Sequence, residues 1–275
     1  MTVLLNTIIY MKRIIFLLVT VILSVSMSCS KEEDNNSSTT VTNNNNTTND
    51  NTSHLQATGS SSNNLLSDAT FKSMVIELVY VDGFEPTQSS VDNFVSFLEE
   101  RTFKPNGITV EKRAIVSPGT SPYTNAEIRS IEDINRTKFN ATNQIAVWAF
   151  FADGASSSNS GNGVVLGTAY RNTSFVIYEE TIQDLSNSTL EPNRTVLETT
   201  VINHEFGHIL GLTNLGAPLQ STHEDADHPK HCDVNSCLMF WASETGSGID
   251  NLVGASQAPQ LDAQCIADLQ ANGGK

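Results

Sequence analysis

His204-Glu205-Phe206-Gly207-His208, continued by Ile209-Leu210-Gly211, is the stretch on which the reading of this chain turns. Residues four apart on a helix lie on one face, a single turn from each other, so the imidazoles of His204 and His208 can converge on one cation. Neutral imidazole is among the ligands zinc prefers. Glu205, beside the first histidine, can reach a water on such an ion and take its proton. The bland reading is an amphipathic core helix that carries two histidines by chance. Further features downstream weigh against it.

Working outward, Pro192 stands near the start of the helix, where its missing N–H does no harm. Val196, Leu197, Val201 and Ile202 carry the apolar stripe into the motif. Earlier in the chain, 73–81, 108–116, 145–151, 164–170 and 174–178 read as strands. Residues 86–101 and 126–139 read as helices, from apolar stripes at Val91, Phe94, Val95 and Leu98 and at Ile128, Ile131 and Ile134. This order resembles the N-terminal subdomain of the metzincin zinc peptidases. The resemblance implies an α+β fold: a twisted, mixed five-stranded sheet over two long helices, the second bearing the motif, then an irregular C-terminal subdomain. It also implies that the sheet's edge strand, here 163–170, runs along the cleft and pairs with extended substrate.

Catalytic zinc takes three protein ligands and keeps one position for water. Metzincins supply the third from HExxHxxGxxH, where the glycine permits a sharp turn. Gly211 fits, but the last position holds Asn214, a poor zinc ligand. Downstream, His231-Cys232, Cys237 and Met239 have the spacing His-Cys-x4-Cys-x-Met, which resembles the archaemetzincins, with 212–230 inserted ahead of it. The resemblance implies His204, His208 and His231 as zinc ligands and Met239 as the methionine of the Met-turn beneath the metal. His228, His223, Asn214 and Asp225 remain open as alternatives to His231. The acidic, histidine-containing run 223–228 reads equally as support for ligand tautomers or as a solvated loop. Archaemetzincins build a second, all-cysteine zinc site from this cysteine pair and a later CxxC. This chain has only Cys265 there, so one catalytic Zn2+ is expected and a second, structural zinc is not. A disulfide among Cys232, Cys237 and Cys265, with one thiol left over, is expected instead in an exported domain.

The implied activity is hydrolysis of a peptide bond in a protein or peptide substrate, with Glu205 as general base and then acid. Phe240-Trp241 stand where some metzincins carry a tyrosine that stabilises the oxyanion, and 240–254 should wall the primed side. Two other readings stay open. One is a surface-displayed binding or adhesion module whose zinc site is structural or vestigial, closed for example by His204, His208, His228 and His231. The other is a zinc hydrolase acting on a non-peptide amide or ester.

The ends of the chain bear on location. Residues 1–28 read as a signal peptide with translation starting at Met11: Lys12-Arg13 precede the apolar run 14–25. Cys29 after Ser26-Met27-Ser28 resembles the lipobox of bacterial lipoproteins, and Ser30 to Asp34 an outer-membrane export tag. These imply a lipid anchor at Cys29 and an outer-membrane lipoprotein, displayed on the surface of a Gram-negative cell envelope. The Asn/Ser/Thr-rich stretch 29–70 reads as a disordered tether, because it holds little apolar surface to repay its ordering. Residues 71–275 suffice for one domain with a substantial core, expected to be monomeric. A net charge of −15 argues against nucleic acid as a partner.

Overall fold

The computed structural model describes residues 52–161, 163–186 and 188–275. The signal, Cys29 and the first part of the expected tether lie outside the described residues. Five strands, β1 (Ser73–Val81), β2 (Ile108–Ile115), β3 (Gln144–Phe151), β4 (Gly167–Arg171) and β5 (Ser174–Ile177), form one sheet in the order β2-β1-β3-β5-β4. β1 is parallel to β2 and β3, and β3 to β5; β4 returns antiparallel along β5 as a terminal strand. The fold is therefore α+β with a mixed sheet.

β3 is apolar throughout because both faces of the sheet are covered. Ile145, Val147, Ala149 and Phe151 join Met74, Ile76 and Leu78 in the larger core. Trp148 and Phe150 point the other way, into a cluster with Val79, Val81, Ile128 and Ile131. On the larger side lie two long helices. α2 (Gln88–Arg101) is capped by Thr87, whose hydroxyl accepts the Ser90 N–H at 3.3 Å. α5 (Arg194–Ile209) starts from Asn193, whose side chain accepts the Thr195 N–H at 2.9 Å. Phe94 of α2 meets Phe206 of α5 edge to face at 5.1 Å between ring centroids. Every residue from Val196 to Ile209 is buried, so α5 runs through the protein rather than over it.

Three expectations need correction. The tether does not extend to residue 70: helix α1 (Ser62–Leu66) buries Leu65 and Leu66 completely, and the Ser62 hydroxyl donates to the Leu210 carbonyl at the end of α5. Average composition hid two leucines with a groove to fill. Helix α3 (Asn125–Asn135) stops before 139, because Arg136 leaves it to bond Glu132 at 2.6 Å and the Ala146 carbonyl at 2.8 Å inside the protein. Ile134, assigned to the apolar stripe, is 79% exposed. A short helix α4 (Glu179–Asp184) follows β5, ahead of α5, and α6 (Ala263–Ala271) closes the chain, with Asp262 accepting the Cys265 N–H at 2.8 Å as its cap. Between α5 and α6 the backbone is mostly loop, with 3-10 turns at Trp241–Glu244 and Gly246–Leu252. Among the described residues no helix is long and apolar enough to cross a membrane.

Candidate metal centre

α5 ends at Gly211, which takes φ +83°. A side chain there would press within 2.6 Å of the Ala217 nitrogen, so glycine is needed both for the turn and for the close approach. The chain then makes its excursion through 212–230. Its two ends are pinched together, with the Thr213 hydroxyl donating to the Lys230 carbonyl. His231 therefore enters close to where the chain left the helix. One ligand nitrogen from each of His204, His208 and His231, together with a Glu244 carboxylate oxygen, lie within 4.8 Å of one another.

The donors are prepared for a cation. His204 Nδ1 faces the Leu238 carbonyl at 2.7 Å and must donate to it, which leaves Nε2 to face the cluster. His204 Nε2 and both ring nitrogens of His231 are buried without a hydrogen bond of normal geometry. Burial is the main cause that brings the His208 pKa down to about 4, so its imidazole is neutral, the form that binds metal. Imidazoles whose buried, unsatisfied nitrogens face one point fit zinc.

Glu205 lies beside them and is fully buried, and neither of its oxygens has a hydrogen bond of normal geometry. Burial, and then the nearby Glu244 carboxylate, push its carboxyl well above the ordinary range. β4 passes directly over it: a Cβ on Gly167 would stand 2.7 Å from Glu205 Cγ. Met239 is likewise buried, and a Cβ on Gly207 would come within 2.3 Å of its sulfur. Gly207, between the two motif histidines, is the gap that Met239 fills beneath the cluster.

The other sequence candidates sit elsewhere. His228 stacks on Trp241 at 4.3 Å between centroids and pairs through Nδ1 with Asp225 at 2.9 Å. His223 is buried against Asp268 at 2.8 Å. Asn214 Nδ2 donates to Glu224 at 3.1 Å. The sequence reading passed over Glu244, which belongs to no motif. Its one signal is that it is the sole acid between Asp233 and Asp250.

The expected disulfide is absent: Cys232, Cys237 and Cys265 are all free thiols. They converge with Asp262 on a second cluster, whose donor atoms lie within 4.8 Å of one another. Cys237 and Cys265 sulfurs are 3.7 Å apart. That is far beyond the ~2.05 Å of a disulfide, but it matches sulfurs held ~2.3 Å from a common tetrahedral centre, which stand ~3.8 Å apart. The Cys232 and then the Cys265 thiol hold Cys237 below its ordinary pKa, assisted by the Asp262 and Met239 N–H groups. The thiols do not pair because they face one point rather than each other.

No known protein family matches the chain by sequence, and no curated protein is recognisably similar to it. Among solved structures, the archaemetzincin of Methanopyrus kandleri superposes with a TM-score of 0.46 at 18% identity, covering 73% of this chain and 96% of that one. Metalloproteinase-II of Bacteroides fragilis superposes with a TM-score of 0.36 at 12% identity, covering 76% of this chain and 55% of that one.

Proposed function

We propose that this chain is a zinc-dependent metallopeptidase, held at the cell envelope by a lipid on Cys29. The observation that carries the reading is Glu205: a buried carboxylate without a normal hydrogen bond, beside three imidazoles that converge on one point. A structural metal site has no need of such a group, whereas proton transfer has. His204, His208 and His231 would hold the zinc, which when bound supplies a Lewis acid able to polarise a scissile carbonyl and to ease the ionisation of water. Glu205 takes a proton from the attacking water and returns it to the departing amine. The Leu238 carbonyl keeps His204 in the tautomer that presents Nε2. β4, terminal in the sheet and lying against Glu205, offers an edge along which an extended peptide can run.

A second ion belongs to this reading. Cys232, Cys237 and Cys265, with Asp262 completing the set, suit a closed structural site. That replaces the sequence expectation of one ion and a disulfide.

The test is cleavage of casein and gelatin by the zinc-loaded full chain. Hydrolysis should stop with a chelator, return with zinc, and fall by about 100-fold or more in Glu205→Ala at unchanged zinc content. Equal cleavage by that variant would remove the mechanism. Cys29→Ser should move the protein from the membrane fraction to the soluble fraction; continued sedimentation with membranes would remove the anchor.

One observation favours a second reading, a binding module with a closed metal site: Glu244 shares the cluster with the histidines. In that case the full chain binds zinc and cleaves nothing.

A further inference from the structure

Glu244 is placed in the centre by its backbone. The Leu166 N–H donates to the Glu244 carbonyl at 2.9 Å and the Gly246 N–H to the Val164 carbonyl at 2.8 Å, with Val165 and Thr245 opposite each other in an antiparallel bridge. Residues 244–246 are thus zipped onto the run that leads into β4, as an added strand would be.

The side chain goes where a ligand goes. Glu244 Oε2 is 3.6 Å from His204 Nε2 and 3.7 Å from His208 Nε2, and Oε1 is 3.2 Å from His231 Nε2. Ligands ~2.0–2.2 Å from a tetrahedral zinc stand ~3.3–3.5 Å from one another. The carboxylate thus faces all three imidazoles, Oε2 toward His204 and His208 and Oε1 toward His231, on the side where a catalytic zinc would keep its position for solvent or substrate. The segment's remaining backbone bonds are largely its own: Thr245 N–H to Ala242, and Gly248 N–H to Thr245. A Cβ on Gly248 would stand 2.2 Å from the Ala242 carbonyl oxygen, so the turn closes tightly on itself. The turn is tied to the strand edge by two backbone bonds and held beneath by buried Ala242 and the Trp241 ring on His228, so it can lift as a unit once those contacts are given up.

We propose that Glu244 is the fourth ligand of the resting metal centre, and that 241–246 fills the part of the cleft a peptide main chain would take. Substrate must displace both the carboxylate and the two backbone bonds. This rests on the metallopeptidase reading for its biological sense, though its geometry can be tested without it.

The test is calorimetric titration of the zinc-loaded full chain with acetohydroxamate, a small chelator that needs an open metal position. If the closed form dominates, apparent affinity is reduced by the fraction that is open. Glu244→Ala should bind the chelator about tenfold or more tightly than the parent chain. Gly246→Pro keeps every ligand and removes one of the two backbone bonds. Thr245 is already extended, at φ −124° and ψ 155°, as a residue before proline should be. It should shift affinity in the same direction, and it carries the test should Glu244→Ala fail to fold. Equal or weaker chelator binding in the folded variants would overturn the proposal while leaving Glu205-dependent cleavage of casein to decide the peptidase reading. Tighter chelator binding with no cleavage by any variant would uphold the closed fourth position and sink the peptidase reading.

Discussion

His231 reaches the cluster through a contact outside it, the bond between the Thr213 hydroxyl and the Lys230 carbonyl. Spacing rules count residues along the chain, and a pinched loop makes that count irrelevant. The motif histidines and Glu205 were legible because helix geometry converts a sequence offset directly into a distance. His231 was legible only through its spacing to Cys237 and Met239. Glu244 was not legible at all, since its place depends on two backbone bonds to 164–166. The geometry separates the candidate ligands by measurement. His231→Ala should lower the zinc content of the full chain by about one equivalent, whereas His228→Ala, which removes only a stacking and carboxylate contact, should not. Loss of zinc from the His228 variant alone would reverse the assignment.

At the scale of elements, the apolar runs located the strands, because the faces of this sheet are covered and the residues show it. Ends were harder. Helix α3 stops where Arg136 finds buried acceptors, and α1 exists because Leu65 and Leu66 have somewhere to go. Neither follows from local propensity; both are tertiary decisions. The same holds for the thiols, whose spacing allows a disulfide and whose surroundings impose a convergent cluster. Cys237 sits between Leu238, which orients His204, and the cap of α6, so the second cluster ties the C-terminal helix to the first. Metal analysis should therefore find two zinc equivalents in the full chain. Cys265→Ser should hold about one equivalent and melt at a lower temperature, since structural zinc contributes folding energy. An unchanged stoichiometry would return the cluster to three idle thiols.

Over the whole molecule, stability should depend on acidity through two buried acids, Glu205 beside the histidines and Glu179 at the start of α4. Glu179 and Glu198 share the Arg194 guanidinium, each at 2.7 Å. Burial, then repulsion from Glu198, raise Glu179 to about 9. A carboxyl whose folded pKa lies above its unfolded one contributes stability at low pH, which is lost as pH rises through the folded value. The melting temperature should thus fall between pH 5 and about 9. Glu179→Gln, which keeps the shape and removes the charge, should flatten part of that fall; a parallel curve would assign the slope to Glu205 and the rest of the acidic chain.

The pinched excursion at 212–230 has an engineering consequence. Its feet are fastened to each other, and the span between them is fastened as well: the Gln220 N–H donates to Asp268 at 2.7 Å and the Asp225 N–H to the His231 carbonyl at 2.8 Å. Lengthening such a loop costs only ~0.6 kcal/mol per doubling. Foreign peptide inserted at the exposed Thr222, between these ties, should leave His231 in place, whereas an insertion near Asp227 should loosen it. Removing the Thr213 hydroxyl should let His231 wander even in a chain of unchanged length.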